Sequence, residues 1–195
     1  MGERGAITTR MTAEQRREQI LDATKTMAAG RGFHAISIEA VAREAGITRP
    51  IVYSHFGDLQ GLLEALVERE TARALGQLSI PADLSGDPRE ALLASLRTYL
   101  EAVRTDPATW RLVLMPPEGA PAILHDLIAQ GRAAILEQLA QAVGPGLASP
   151  DPELFAHVLS AISDDGARLL LTDPERYPVE RIITFAGWLM RELAP

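Results

Sequence analysis

Between positions 48 and 55 the chain carries Thr48, Arg49, Pro50, Ile51, Tyr53, Ser54 and His55, leaving only Val52 in that stretch to face inward. Together they offer a guanidinium fork, two hydroxyls, a phenol and an imidazole. These groups suit one kind of chemistry: gripping phosphate oxygens and reading base edges in a groove of DNA. A helix that merely covers a core more often shows Glu, Lys and Gln on its outer face. Arg49 is the candidate for a direct base contact, since its fork can pair with guanine, while Thr48, Pro50 and Ile51 suit shorter or apolar contacts.

Such residues need a rigid mount, and the preceding stretch supplies it. Ser37 is a good N-cap, and Ile38, Val41, Ala42 and Ala45 recur at the spacing of one helical face. Gly46 ends that helix because it alone enters the left-handed region without a Cβ clash, and Ile47 plugs the angle. Thr48 is expected to cap the next helix, with Pro50 in its first turn and Val52 and Phe56 on its buried side. This is a helix-turn-helix pattern. Before it, Thr12 and Gln15 form a capping box for a first helix with Ile20, Ala23, Thr24 and Met27 inward, and Gly30-Arg31-Gly32 ends it. Arg16 and Arg17 lie near its start, placed for phosphate or for solvent. Residues 1–11 lack periodicity and read as a flexible arm.

Residues 12–63 resemble the DNA-binding domain of the TetR family of bacterial transcription regulators. The matching parts are AAGRGFHAIS at the end of the first helix, SIEAVAREAGIT, VYSHF and the following LQGLLEAL. The resemblance covers roughly the first third of the chain and implies Ser37, Tyr53 and His55 as phosphate contacts. One departure stands out: the family usually has a Lys shortly after the aromatic Phe, and here the place is taken by Leu59. The implied organisation is a DNA-binding domain over 12–57 and a helical regulatory domain over 58–195 that binds a ligand and dimerises.

The remainder reads as helices throughout. Asp58 opens one that runs to about Gln77, residues 79–88 form a turn-rich linker, and Pro88 and Asp106-Pro107 open two more. Residues 115–121 hold too many prolines to be helical. A long helix follows to about Val143, closed by Gly144-Pro145-Gly146, then two more over about 152–171 and 178–193. The fold expected is all-α, with about nine helices. Tyr99, Trp110, Met115, Leu124, His125, Ile128 and Phe155 come from the helices that enclose the ligand cavity in TetR-like proteins, and they are mostly apolar with a few polar groups. Trp110 and Met115, beside the Pro-broken segment, are the favoured pair. The last two helices are apolar too far round for one core, so Leu154, Val158, Ile162, Gly166, Leu169, Ile182, Phe185 and Leu189 are expected at a homodimer interface.

Composition narrows the alternatives. There is no cysteine, which excludes disulfides, thiolate metal sites and cysteine nucleophiles. Residues 1–57 hold eight Arg or Lys against six Asp or Glu, and the remainder holds eleven against twenty, so a slightly basic head sits on an acidic body. No apolar run approaches the roughly 18 residues of a membrane span, and no export segment opens the chain, so a cytoplasmic location without membrane contact is expected. Gly-rich phosphate loops, nucleophile elbows and paired zinc histidines are missing, and His34, His55, His125 and His157 stand apart. Asp164 and Asp165 are adjacent and point about 100° apart on a helix, which argues against a shared site. No enzyme, cofactor or metal is expected. The reading is a homodimeric repressor released from a palindromic operator by a small apolar effector. Its rival is a small all-α ligand-binding or enzymatic protein whose helix-turn-helix is only structural.

Overall fold

The computed structural model describes residues 11–78, 87–147 and 150–193, and these contain nine α-helices, one short 3-10 turn and no strand. The helices are α1 (Ala13–Arg31), α2 (Ile38–Glu44), α3 (Arg49–Phe56), α4 (Leu59–Gln77) and α5 (Pro88–Thr105). They continue as α6 (Pro107–Leu114), α7 (Ala122–Leu147), α8 (Pro152–Thr172) and α9 (Val179–Leu193), with the 3-10 turn at Phe33–Ala35. Residues 1–10 of the expected arm, and 79–86 of the expected linker, lie outside the described residues.

Local chemistry accounts for most of these boundaries. Thr12 and Gln15 make both bonds of the capping box, and Ser37 Oγ accepts from the Ala40 N–H at 3.2 Å. Gly46 turns the chain between α2 and α3 at φ 65°. Gly61 is required for a different reason: a Cβ there would lie 2.3 Å from the Phe56 carbonyl oxygen, so only glycine lets α3 meet α4 so closely. Two expectations need correction. Thr48 occupies the N-cap position of α3 but makes no side-chain cap bond, because Pro50 has no N–H to give and the Ile51 N–H goes to the Thr48 carbonyl at 3.0 Å. And α7 runs on through Gly144-Pro145-Gly146 to Leu147 where the sequence expects those residues to close it.

Two apolar cores result. The first gathers Ile20, Leu21, Val41 and Val52 of α1–α3, and it does not stop at residue 57. Leu62, Leu66 and Val67 of α4, Leu112 of α6 and Leu124 of α7 belong to it as well. The second packs Leu100 and Val103 of α5, Trp110 and Leu114 of α6, Leu170 and Leu171 of α8 and Ala186 of α9, with Ala74 from the far end of α4. Helix α4 therefore serves both cores, the head with its first half and the body with its second.

A polar knot sits where head and body meet. Glu70, in the middle of α4, is only 1% exposed. Lys25 of α1 places Nζ 3.0 Å from Glu70 Oε2 and 2.8 Å from Asp106 Oδ1. It also donates to the buried Thr109 hydroxyl at 2.6 Å, and that hydroxyl lies between Glu70 and Asp106. Arg69 adds an ion pair to Glu70 at 2.8 Å and one to Glu18 of α1 at 2.8 Å. Burial opposes the charge on Asp106, but the hydrogen bonds from Lys25 and Thr109 outweigh it and hold its carboxyl below the ordinary value. A lowered folded value means that this stabilisation is present above the unfolded pKa and is lost as pH falls through the folded one, so acid loosens the junction.

Removing the cation alone should cost more than removing the pair. Lys25→Met is expected to lower the unfolding free energy by roughly 3–5 kcal/mol, because Glu70 and Asp106 lose the cation they share in a buried junction. Adding Glu70→Gln should recover part of that loss in urea unfolding. Strictly additive losses would show that Lys25 does not compensate Glu70.

Candidate nucleic-acid interface and body cavity

Helix α3 presents Thr48, Arg49, Pro50, Tyr53 and Ser54 to solvent, and Tyr53 is 48% exposed despite its ring. Ile51 and His55 are half-buried; Ile51 leans on the head core, and the His55 ring lies 6.2 Å from Phe56. Ser54 spends its proton on the Ile51 carbonyl at 2.8 Å, which leaves its oxygen only as an acceptor. Ser37 caps α2 from a half-buried position. The arginines of α1 are engaged locally: Arg16 donates to Gln19 at 2.6 Å, and Arg17 lies over the Phe56 ring at 4.7 Å. Leu59, where the resemblance expects a lysine, packs partly buried against the head core.

Arg49 does not stand alone. Its Nη1 lies 2.9 Å from Oε1 of Glu39, in the first turn of α2, and both side chains stay more than half exposed. The hydrogen bond from Arg49 holds the Glu39 carboxyl below the ordinary range. Glu39 was not among the residues expected from sequence. No periodicity links a glutamate on one helix to an arginine ten positions on, and only the crossing of α2 with α3 brings them together.

A cavity of about 280 Å³ opens within the body, walled by the second half of α4, by α5, α6 and α7, and by α8 and α9. Of the residues expected to line it, Tyr99, Trp110, Ile128 and Phe155 do so. Met115, Leu124 and His125 do not. Met115 is 43% exposed, His125 faces solvent, and Leu124 is buried in the head core. The proline-rich stretch after α6 runs along the head, with Gly119 against Phe33 and His34, so it borders the reading head and not the cavity. The lining that sequence reading missed is mostly aliphatic, including Leu75, Leu96, Leu127 and Ile135.

A polar cluster interrupts that lining. Tyr99 of α5 donates its phenol proton to Asp164 Oδ1 at 3.1 Å, and Arg132 of α7 pairs with Asp164 Oδ2 at 2.6 Å. Burial first, then the Asp164 charge and hydrogen bond, push the Tyr99 pKa far up, so the phenol remains a donor. Asp165 is exposed, so the two adjacent aspartates do face different ways. Tyr99 packs edge-on against Trp110 with ring centroids 5.0 Å apart, and the Trp110 indole N–H donates to Gln77 at the end of α4 at 3.0 Å.

Helices α8 and α9 also carry an uncovered apolar stripe. Leu154 is 61% exposed and Phe185 58%, and Val158, Ile162, Leu169 and Trp188 are exposed beside them. The other three residues expected at an interface turn inward. A Cβ on the buried Gly166 would lie 3.1 Å from Ile182, so that close approach is used within the chain, and Leu189 lines the cavity.

Residues 20–66 match the profile of bacterial regulatory proteins of the tetR family. An uncharacterized HTH-type transcriptional regulator of Mycobacterium tuberculosis is 31% identical over 137 residues, covering 69% of this chain and 64% of that protein. The chain thus spans just under two thirds of the length of that curated relative. Among solved structures, a TetR-like transcriptional regulator from Rhodococcus sp. RHA1 matches 95% of this chain and 99% of its own, at 25% identity and a TM-score of 0.77. The complex of SmeT with triclosan covers 89% of this chain and 88% of its own at 23% identity and a TM-score of 0.71, a likeness of fold; SmeT is the repressor of a multidrug efflux pump of Stenotrophomonas maltophilia. The helix-turn-helix thus matches the tetR family of bacterial regulatory proteins, and the helices as a whole share the fold of a TetR-like regulator over nearly its full length.

Proposed function

We propose that this chain is a sequence-specific DNA-binding regulator of transcription, acting as a homodimer in the cytoplasm, and that an apolar small molecule in the body cavity releases it from a palindromic operator. The observation that carries this reading is the double membership of α4 and α7. Leu66 of α4 and Leu124 of α7 belong to the head core, while Leu75 of α4 and Ile135 of α7 line the cavity. A guest that repositions either helix moves the head. Such a guest acts only through unequal affinity for two arrangements of the body, one with its heads spaced for DNA and one without. The apolar lining favours an apolar guest, and the triclosan bound by SmeT is consistent with that class. The exposed stripe on α8 and α9 supports pairing of two copies, with Leu154, Val158, Ile162, Leu169 and Phe185 against the partner. At α3, Arg49 is assigned to base contact, Ser37, Tyr53 and His55 to phosphates, and Thr48, Pro50, Ile51 and Ser54 to the surrounding surface.

Retardation of genomic fragments in a gel separates this reading from a helical enzyme or carrier, which would show no saturable, sequence-dependent shift. Tyr53→Phe should weaken all DNA alike by about 1 kcal/mol. Arg49→Ala should cost roughly 1–3 kcal/mol on the preferred site and relax one base pair per half-site. Equal losses on specific and random DNA would reassign Arg49 to the backbone. Sedimentation should show a dimer at micromolar concentration, with half-sites about 10 bp apart or more, and Phe185→Glu should yield monomers. A monomeric parent protein would remove the basis for a palindromic site. Trp110 is buried at the cavity and Trp188 is exposed, so the fluorescence of a Trp188→Phe variant reports on the guest. Operator DNA should weaken a bound guest by roughly 5–150-fold, a coupling of ~1–3 kcal/mol. Equal affinity with and without operator would leave a pocket that is not a switch.

A further inference from the structure

We propose that Arg132 is the recognition point of the cavity, and that its guest is an apolar chain ending in an anionic hydrogen-bond acceptor, a monocarboxylate amphiphile being the simplest form. This rests on the cavity being a ligand site, and it goes further by naming the end group. Arg132 holds unspent hydrogen-bonding capacity. Asp164 is enclosed, with 14% of its side chain exposed; one oxygen accepts from Tyr99 at 3.1 Å and the other is ion-paired with Arg132 at 2.6 Å. Of the pair Asp164 is the more enclosed, so a guest reaches Arg132 more readily than Asp164. A guanidinium carries five N–H groups, and the nearest contact of Arg132 with Asp164 is made at Nη2. Among the described residues the Arg132 guanidinium has no other partner, and the side chain is 41% exposed at the cavity wall.

Of the other polar groups on the wall, Ser160 and Ser163 offer neutral hydroxyls and others are spent within the protein. Thr71 and Ser95 donate their protons back to their own helices, at 2.7 Å to Val67 and 2.9 Å to Ala91. The Trp110 N–H is committed to Gln77, so the indole shows the cavity its ring. What the cavity offers a guest is therefore a mainly aliphatic and aromatic wall, on which Arg132 carries charged donors beyond its contact with Asp164. An acceptor bearing negative charge can gain a charge-assisted, two-pronged contact there, whereas an ammonium is repelled by the Arg132 guanidinium. A second guanidinium, Arg89, also lines the cavity and serves as the control position.

The test uses the full chain in the Trp188→Phe background, titrated with decanoate, decanol and decylammonium below their micellar concentrations. Binding is read by Trp110 fluorescence and by calorimetry. Decanoate is expected to bind on the order of tenfold more tightly than decanol, and decylammonium most weakly. Arg132→Gln should abolish the preference for decanoate while leaving decanol within about twofold, and Arg89→Gln should keep it. Asp164→Asn decides the sign. It frees Arg132 and should strengthen decanoate, whereas if Asp164 were itself the recognition group the same change would weaken decylammonium. Thermal unfolding followed by circular dichroism shows that each variant is folded before it is titrated. Equal affinity for the three probes, preference for the ammonium, or loss of the preference in Arg89→Gln and not in Arg132→Gln would each overturn the assignment while leaving the cavity a ligand site. Binding of none of the three would overturn the cavity reading along with it.

Discussion

The burial of Glu70 is the constraint on which the rest of this architecture depends. A carboxylate 1% exposed in the middle of a helix is tolerated only where cations and donors converge on it, because removing an ion from water costs several kcal/mol even after the protein relaxes. Here they come from three directions: Lys25 from α1, Thr109 from α6 and Arg69 from the adjacent position of α4. That convergence requires α1, α4 and α6 to cross at one place. Apolar packing between head and body is indifferent to small slips, but hydrogen bonds of 2.6–3.0 Å are not. The knot thus sets the orientation of the head on the body more sharply than the cores alone.

The same helices carry the cavity, and the arrangement follows from helical geometry. Thr109 and Trp110 are neighbours in sequence, and neighbours on a helix point about 100° apart. One therefore faces the polar junction and the other the cavity wall. Along α4 a similar division runs lengthwise: Leu62 to Val67 pack in the head, Glu70 lies at the junction, and Ala74 and Leu75 reach the body and its cavity. A change at Trp110 has a short physical route to the head, through one peptide unit to Thr109 or through its indole N–H to Gln77. This is the sense in which two cores and a cavity form one mechanical unit.

Where sequence reasoning went astray, a local signal was correct but its direction was not. The prolines after α6 do break the helix, and Met115 and His125 do stand beside the break. Nothing in a proline says which neighbour the broken segment will lie against, and it lies against Phe33 and His34 of the head. Gly166 does mark a close approach of helices, but the helix that approaches is α9 of the same chain, with Ile182 in the space. Thr48 has the right residue type for a cap, and the proline two positions later withdraws the donor that the cap would need.

The amino-acid sequence alone determined the helices, the caps at Thr12 and Ser37, the turn at Gly46 and most of the outward set on α3. These depend on interactions that reach one or two turns along the chain, and their signals are periodicity, capping residues and glycine at positive φ. The full pairing of charged and polar groups was decided only by tertiary structure. Arg49 with Glu39, Lys25 with Glu70 and Asp106, and Tyr99 and Arg132 with Asp164 join residues on different helices, the last hydroxyl and carboxylate 65 positions apart. Two helices of ordinary amphipathic pattern can cross at several angles and registers, and each register would bring different side chains face to face. Which charges meet is settled by the packing of the whole apolar interior, a property no short stretch of the chain contains.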